Sequence, residues 1–292
     1  MSDAPPTFVP IFTQHSRHWR DNRYVYPVVS RRSKGLSIGV NLNPDKVCNF
    51  DCLYCCVDRT TMPGRVEVDL AVLRDELAYL LELARSGEIW KHPPFDTTPP
   101  ALRRLNDVAF SGDGEPTSFP RFEDACRLAA TLLDERSLND VKIVVITNAT
   151  LFHQPRVRQA LQYLDEHRGE LWAKLDAGTE GYFQLVERSS IPFARVLANL
   201  LDAARARPIV IQTLFMNVHG TPPDDAEIAA YIERLRDLVS GGGQVKLVQV
   251  YTIARDTAET FVAPLPRESL DAISQRVRDA TGLTVETYYG PC

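Results

Sequence analysis

Val47-Cys-Asn-Phe-Asp-Cys-Leu-Tyr-Cys-Cys-Val57 places four of the chain's six cysteines within nine residues, at positions 48, 52, 55 and 56. Such crowding is no layout for a secreted disulfide framework, and in an unexported chain it reads as metal binding or redox chemistry. Cys48, Cys52 and Cys55 stand in C-x3-C-x2-C spacing. Three thiolates can hold three irons of a [4Fe–4S] cube and leave the fourth iron without a protein ligand. An open metal position is what a site needs if it is to bind substrate, whereas structural zinc sites are closed by four ligands. The competing reading is zinc held by Cys48, Cys52, Cys55 and Cys56. Adjacent Cys55 and Cys56 make an awkward tetrahedral pair, because zinc knuckles space their ligands by about two to four residues.

Outward from the cysteines the sequence supplies a barrel. Residues 36–42 read as a strand running directly into the cysteine loop. Beyond it, apolar β-rich runs alternate with amphipathic helical stretches, the pattern of repeated βα units and a parallel sheet. Further strands are predicted at 107–110, 142–147, 171–176, 209–215 and 245–251. Their helices fall at 70–85, 122–135, 156–166, 193–205, 225–239 and 267–281. In the first helix Leu70, Leu73, Leu77, Leu80, Leu81 and Ala84 share one face. Six βα units predict an α/β fold, a partial (β/α)6 TIM-like barrel over 36–292, with residues 1–35 as an N-terminal extension. Residues 283–287 read as a short seventh strand. The insertion at 87–106 carries Pro93, Pro94, Pro99 and Pro100, which forbid regular structure.

The chain has 292 residues, 44% hydrophobic and 24% charged, a globular composition that excludes both a disordered chain and a membrane protein. No apolar run approaches the roughly 18 residues of a membrane span. The start, Met1-Ser-Asp-Ala-Pro-Pro, lacks the basic-then-apolar profile of a signal peptide. A soluble, cytoplasmic protein with no membrane partner is expected. Net charge is −5, so there is no general basic footprint for nucleic acid. Residues 1–35 nevertheless carry six Lys/Arg against two Asp, together with Phe8, Phe12, Trp19, Tyr24 and Tyr26. The arm either packs these aromatics on the barrel with its arginines in water, or grips RNA by stacking and phosphate contact. The first reading is favoured.

C-x3-C-x2-C with Tyr54 just before the third cysteine resembles the signature of the radical S-adenosylmethionine (radical SAM) superfamily. The resemblance implies the partial barrel, one [4Fe–4S] cluster on Cys48, Cys52 and Cys55, and S-adenosylmethionine (SAM) chelated to the open iron. It implies reductive cleavage of SAM to methionine and a 5′-deoxyadenosyl radical that abstracts hydrogen from substrate. A flavodoxin- or ferredoxin-like electron donor is the expected partner. In βα barrels the reactive groups sit at the C-terminal ends of strands, and the second predicted strand ends in Phe110-Ser-Gly-Asp-Gly-Glu-Pro-Thr117. Gly112 and Gly114 let backbone approach a ligand, and a carboxylate beside them can accept from an ammonium group. Gly114-Glu115-Pro116 is similar to the family's glycine-glycine-glutamate motif, which holds the methionine amino group, although Asp113 stands where the first glycine is common. By the same resemblance Tyr54 neighbours SAM and Asn148 meets its ribose or carboxylate. Lys174 and Asp176 share one strand face with Trp172. They either contact ribose or substrate or pair with each other at a wet rim. Gln249 and Tyr251 fall where the family contacts adenine.

Residues 30–42 and Gly114-Glu-Pro-Thr117 resemble the wyosine-synthase-like branch, whose best-known members rebuild a guanosine of tRNA using pyruvate. This sequence departs from them in having no cysteine upstream of Cys48, and its acidic body argues against a large tRNA footprint. The substrate is therefore left open between a small molecule and, less favoured, a tRNA base; the alternative is a non-catalytic iron–sulfur or zinc-binding scaffold. Cys56, Cys126 and Cys292 are the three remaining thiols and are too scattered to converge on a second cluster. Cys126, among Ala125, Leu128 and Ala129, is expected in the core. Cys292 is expected at a frayed or packed end, with a substrate contact as the lesser reading. His153, His167 and His219 are expected to be surface or packed side chains.

Overall fold

The computed structural model describes residues 10–13, 16–61, 64 and 66–290. β-Branched and apolar runs form ten strands: β1 Val25–Ser30, β2 Gly35–Val40, β3 Leu105–Phe110, β4 Lys142–Thr147, β5 Gly169–Lys174, β6 Ile209–Leu214, β7 Met216–Val218, β8 Val245–Tyr251, β9 Val262–Pro264 and β10 Val285–Tyr288. Among the described residues seven α-helices connect them: α1 Leu70–Arg85, α2 Phe122–Glu135, α3 Pro155–Asp165, α4 Glu180–Glu187, α5 Phe193–Ala206, α6 Asp225–Ser240 and α7 Arg267–Thr281. Eight strands make one curled, open sheet in the order β1-β2-β3-β4-β5-β6-β8-β10. From β2 to β10 every pairing is parallel, and the six expected strands lie side by side in chain order. This is a partial (β/α) barrel. β7 and β9 pair separately.

The short strands β7 and β9 were not in the sequence reading, nor were two larger elements. β1 lies inside the segment expected to be an extension and pairs antiparallel with β2, from Val25↔Val40 to Ser30↔Gly35. Just before it, the Glu76 carboxylate of α1 accepts from the backbone amides of Arg23 at 2.6 Å, Tyr24 at 2.9 Å and Val25 at 3.1 Å. Trp19, Tyr24 and Tyr26 are buried, so those rings are not free to stack on bases. Phe8 lies outside the described residues. The second element is α4, an additional helix between β5 and α5. The proline-rich insertion holds short 3-10 turns up to Leu102, and its last two residues, Leu105 and Asn106, already begin β3.

Period-two alternation splits each strand between two environments. Ile38, Val108, Ile143, Leu171, Ile209 and Val248 face outward into the apolar layer shared with the helices. Ala109, Val144, Trp172 and Val210 form a separate cluster inside the barrel. The sheet does not close, but its two edges approach each other. Lys34, in the β1–β2 turn, pairs with Glu286 of β10 at 2.8 Å, and Arg31 donates to the Tyr289 carbonyl. No helix among the described residues is long and apolar enough to cross a membrane.

Candidate functional site

The cysteine loop leaves the C-terminal end of β2 and is held by its backbone and by the side chains between the cysteines. Asp51 N donates to Glu187 O at 3.0 Å, Leu53 N to Val186 O at 2.9 Å, and Ala258 N to Cys55 O at 2.9 Å. Phe50 is buried with its ring edge on Phe183, and Leu53 is buried beneath the loop. Asn49 joins Thr150 Oγ1 at 2.6 Å and accepts from Asn148 Nδ2 at 2.7 Å. So anchored, Cys48, Cys52 and Cys55 are half-buried while Cys56 is exposed. Arg59 Nη1 lies 3.0 Å from Cys55 Sγ, and the same guanidinium donates to the carbonyls of Asp113 at 2.9 Å and Lys46 at 3.1 Å. Burial pushes the Cys48 thiol up to about 11 and the Cys52 thiol well above its usual range. Among the described residues, no group of three His, Cys, Asp or Glu side chains is placed to hold one metal ion. Cys126 is fully buried, as expected, and Cys292 lies outside the described residues.

The loop after β3 fits against the cysteine loop because it lacks side chains at two positions. A Cβ on Gly114 would lie 2.1 Å from Val47 O, and one on Gly112 would lie 2.3 Å from Asn41 Oδ1. Asp113, between them, accepts from Asn41 Nδ2 at 2.7 Å and pairs with Arg17. Glu115 turns inward. Its Oε1 accepts from Thr117 N at 3.1 Å, from Thr147 Oγ1 at 2.6 Å and from the Thr117 hydroxyl. Its Oε2 accepts from Asn148 N at 2.8 Å. Burial raises the Glu115 pKa despite these four donors. The carboxylate thus ties the loop after β3 to the end of β4, and the Asn148 side chain ties β4 on to the cysteine loop.

Four residues singled out from the sequence meet in one network across the barrel mouth. Lys174 Nζ pairs with Asp176 Oδ2 at 3.0 Å, donates to Tyr251 Oη, and stands 4.7 Å over the Tyr54 ring. Tyr54 Oη donates to Asp176 Oδ2 at 2.6 Å, and Leu214 N to Asp176 Oδ1 at 2.6 Å. The rim is dry rather than wet, with Asp176 buried. Burial works against the charge on Lys174, but Asp176 and Tyr251 outweigh it and raise its pKa. Gln249 stands apart from this network, accepting from Gln212 at 2.8 Å deeper in the barrel. The sequence reading missed Glu187 and Arg59. Glu187 is buried beside Cys52 and Tyr54, and burial together with Asp176 pushes it well above the usual carboxylate range. Arg59, four residues beyond Cys55, could have been found from its spacing to a thiol. His153, His167 and His219 take no part in the site.

A cavity of about 220 Å³ opens between this network and the two sheet edges, lined in part by Tyr54, Cys55, Cys56, Ser111, Trp172 and Tyr251. Barrels of this build recur among solved structures. Streptococcus suis SuiB bound to S-adenosylmethionine superposes with a TM-score of 0.58 at 11% identity, over 90% of this chain and 53% of that one. TYW1 with a lysine-pyruvate adduct bound gives 0.53 at 15% identity, over 85% and 74%. The chain shares their fold. In sequence, a UPF0026 protein of Helicobacter pylori strain J99 is 30% identical over 244 residues, 83% of this chain and 66% of its own length. The chain spans between 24% and 66% of the curated relatives it matches. No model of a known protein family matches it.

Proposed function

We propose that the protein is a radical SAM enzyme whose Cys48, Cys52 and Cys55 hold three irons of a single [4Fe–4S] cluster, with SAM bound at the barrel mouth. The observation that carries this reading is the cysteine loop itself: C-x3-C-x2-C, anchored at the C-terminal end of a parallel strand and opening into the barrel cavity. The donor set fits the cluster. Each cysteine of a cube takes a different iron, so the thiols have no need to surround one point, as a zinc site would require. The Arg59 guanidinium stands 3.0 Å from the Cys55 sulfur, a positive charge beside the anionic cluster that the three thiols would hold. When reduced, such a cluster supplies cleavage of SAM to methionine and a 5′-deoxyadenosyl radical that abstracts hydrogen from substrate.

The chain's own residues bind, orient and exclude water. Backbone over residues 112–114 offers close approach beside the cysteine loop, and Glu115 holds that backbone in place. Asn148 acts in the same way, fixing Asn49 within the loop. Tyr54, Lys174, Asp176 and Tyr251 form a dry, pre-bonded rim suited to the ribose hydroxyls of SAM. Gln249 is proposed, with Tyr251, for the adenine contact, although its side chain is bonded to Gln212 deeper in the barrel. A small molecule is the favoured substrate and a tRNA base the lesser one. A flavodoxin- or ferredoxin-like protein is the proposed electron donor.

Anaerobic reconstitution with iron and sulfide tests this. The expected product is a brown protein holding about four irons and four sulfides per chain, which releases 5′-deoxyadenosine from SAM when dithionite is added. Cys48→Ala, Cys52→Ala and Cys55→Ala should each lose the cluster absorbance and the cleavage together. Cys56→Ala and Cys126→Ala should keep both. A colourless zinc protein, or a brown one that never cleaves SAM, would overturn the proposal in favour of a metal-bearing scaffold.

A further inference from the structure

The positive charges around the cavity are unevenly compensated. Arg17 pairs with Asp113, Lys34 with Glu286 and Lys174 with Asp176. Arg31, Arg32 and Arg255 also line the cavity, yet none of them takes part in an ion pair among the described residues. Asp107, the acid nearest the cavity floor, is occupied by the hydroxyls of Ser33 and Ser37. The placement of the arginines is built in rather than incidental. Arg31 and Arg32 sit on the β1–β2 turn, which is fixed by Lys34 N to Ser30 O at 2.9 Å, Ser33 N to Ser30 Oγ at 3.1 Å, and Asn106 on the Ser33 carbonyl. Arg31 spends one N–H on the Tyr289 carbonyl. Arg32 stands 4.6 Å over the Tyr251 ring and makes no hydrogen bond among the described residues. Arg255 follows β8 on the loop facing them.

We propose that Arg31, Arg32 and Arg255 bind the phosphate monoester of a small substrate inside the barrel, beside the cysteine loop. Only in naming the ligand a substrate does this rest on the radical SAM reading; the anion site stands on its own residues. Burial first, and then the charges of Arg32 and Arg255 nearby, bring Arg31 down to about 10. A bound dianion relieves that repulsion, and guanidinium forks match the geometry of phosphoryl oxygens. A monocarboxylate would leave most of these donors and charges unanswered. The cavity volume of about 220 Å³ suits a small molecule rather than a macromolecule.

Titration calorimetry on the full chain, with no SAM present, tests the site independently of radical chemistry. Inorganic phosphate is the probe, acetate the monoanion control at equal ionic strength, and SAM and a short single-stranded RNA are titrated separately. Expected is saturable phosphate binding at one site, weaker acetate binding, and at least a roughly tenfold weaker phosphate affinity in Arg32→Ala and Arg255→Ala. Arg32→Lys should recover only part of it. Arg31 is left intact because it also holds the last strand, and unchanged thermal melts of the variants would show that their fold is retained. No saturable phosphate binding, or equal affinity in the variants, overturns the proposal. So does a loss of SAM affinity in place of phosphate affinity, which would assign the arginines to the SAM carboxylate. RNA bound far more tightly than phosphate, and released by the same substitutions, would also overturn it. Release of 5′-deoxyadenosine is a separate readout, so the anion site can fail while the radical SAM reading stands, and the reverse.

Discussion

Replacing Glu115 should damage the scaffold before it damages anything else. Its carboxylate takes four donors: Thr117 N, the Thr117 hydroxyl and Thr147 Oγ1 on one oxygen, and Asn148 N on the other. In Glu115→Ala the two hydroxyls can rotate to new acceptors, but the two backbone N–H groups cannot. Each stranded amide costs about 1–3 kcal/mol. With the vacated volume added, Glu115→Ala should lose about 3–5 kcal/mol of stability. Glu115→Gln keeps one oxygen for the first three donors but turns its NH2 toward Asn148 N–H, donor against donor. It also removes a charge that burial already opposes. Its loss should therefore be smaller, about 1–3 kcal/mol. Urea denaturation followed by the fluorescence of Trp19, Trp90 and Trp172 measures both. If the two variants unfold within about 0.5 kcal/mol of the natural chain, Glu115 is not the strut described. Weakened SAM binding in variants of full stability would then make it a ligand group instead.

Glu76→Ala should strand the amides of Arg23, Tyr24 and Val25 and cost about 3 kcal/mol; hydrogen exchange at β1 should quicken first. Gly114→Ala drives a Cβ to 2.1 Å from Val47 O, so the cysteine loop must shift, and iron content after reconstitution should fall well below that of the natural chain. Glu170 gives a pH signature. Burial raises its pKa, but bonds from Lys246, Trp172 and Lys142 outweigh this and hold it below the usual range. Its contribution is therefore present above the unfolded value near ~4.3 and is lost as pH falls through the depressed native value. Glu170→Gln should lose about 1–2 kcal/mol at pH 7, discounted because Lys142 and Lys246 are half exposed, and the difference should shrink below about pH 4.

The barrel was legible because its strands are continuous β-branched runs and its helices long enough to show their period. The predicted bounds of 142–147, 245–251, 70–85, 122–135 and 267–281 coincide with β4, β8, α1, α2 and α7. β1 was hidden by Pro27, a residue that belongs on an edge strand, and the edge is where β1 lies. α4 is short, contains Gly181, and buries little beyond Phe183 and Val186, too few positions for a helical period to emerge. At the site, spacing marked which residues gather but not which way they point. Glu115 sits beside two glycines, yet its partners Thr147 and Asn148 come from another strand end. Asp176 and Lys174 pair as their separation allows, though in a dry setting that Tyr54 and Leu214 create. Arg31 and Arg32 read as solvated charge on an arm, because the curl that turns them inward depends on where β10 ends.

The cysteine loop has no regular secondary structure from Cys48 to Cys55, yet the backbone of α4 holds it at its middle and the segment after β8 at Cys55. Ordering a loop costs roughly 1–2 kcal/mol per residue in backbone entropy. Here that cost falls on the folding of the polypeptide, offset by the burial of Phe50 and Leu53. Ligand capture is thereby relieved of a penalty that a floppy thiol hairpin would impose on every binding event. If the loop takes up the proposed cluster, the corollary is kinetic as well: metallation would be a local event at a rim already in place, able to occur late, after the whole chain has folded.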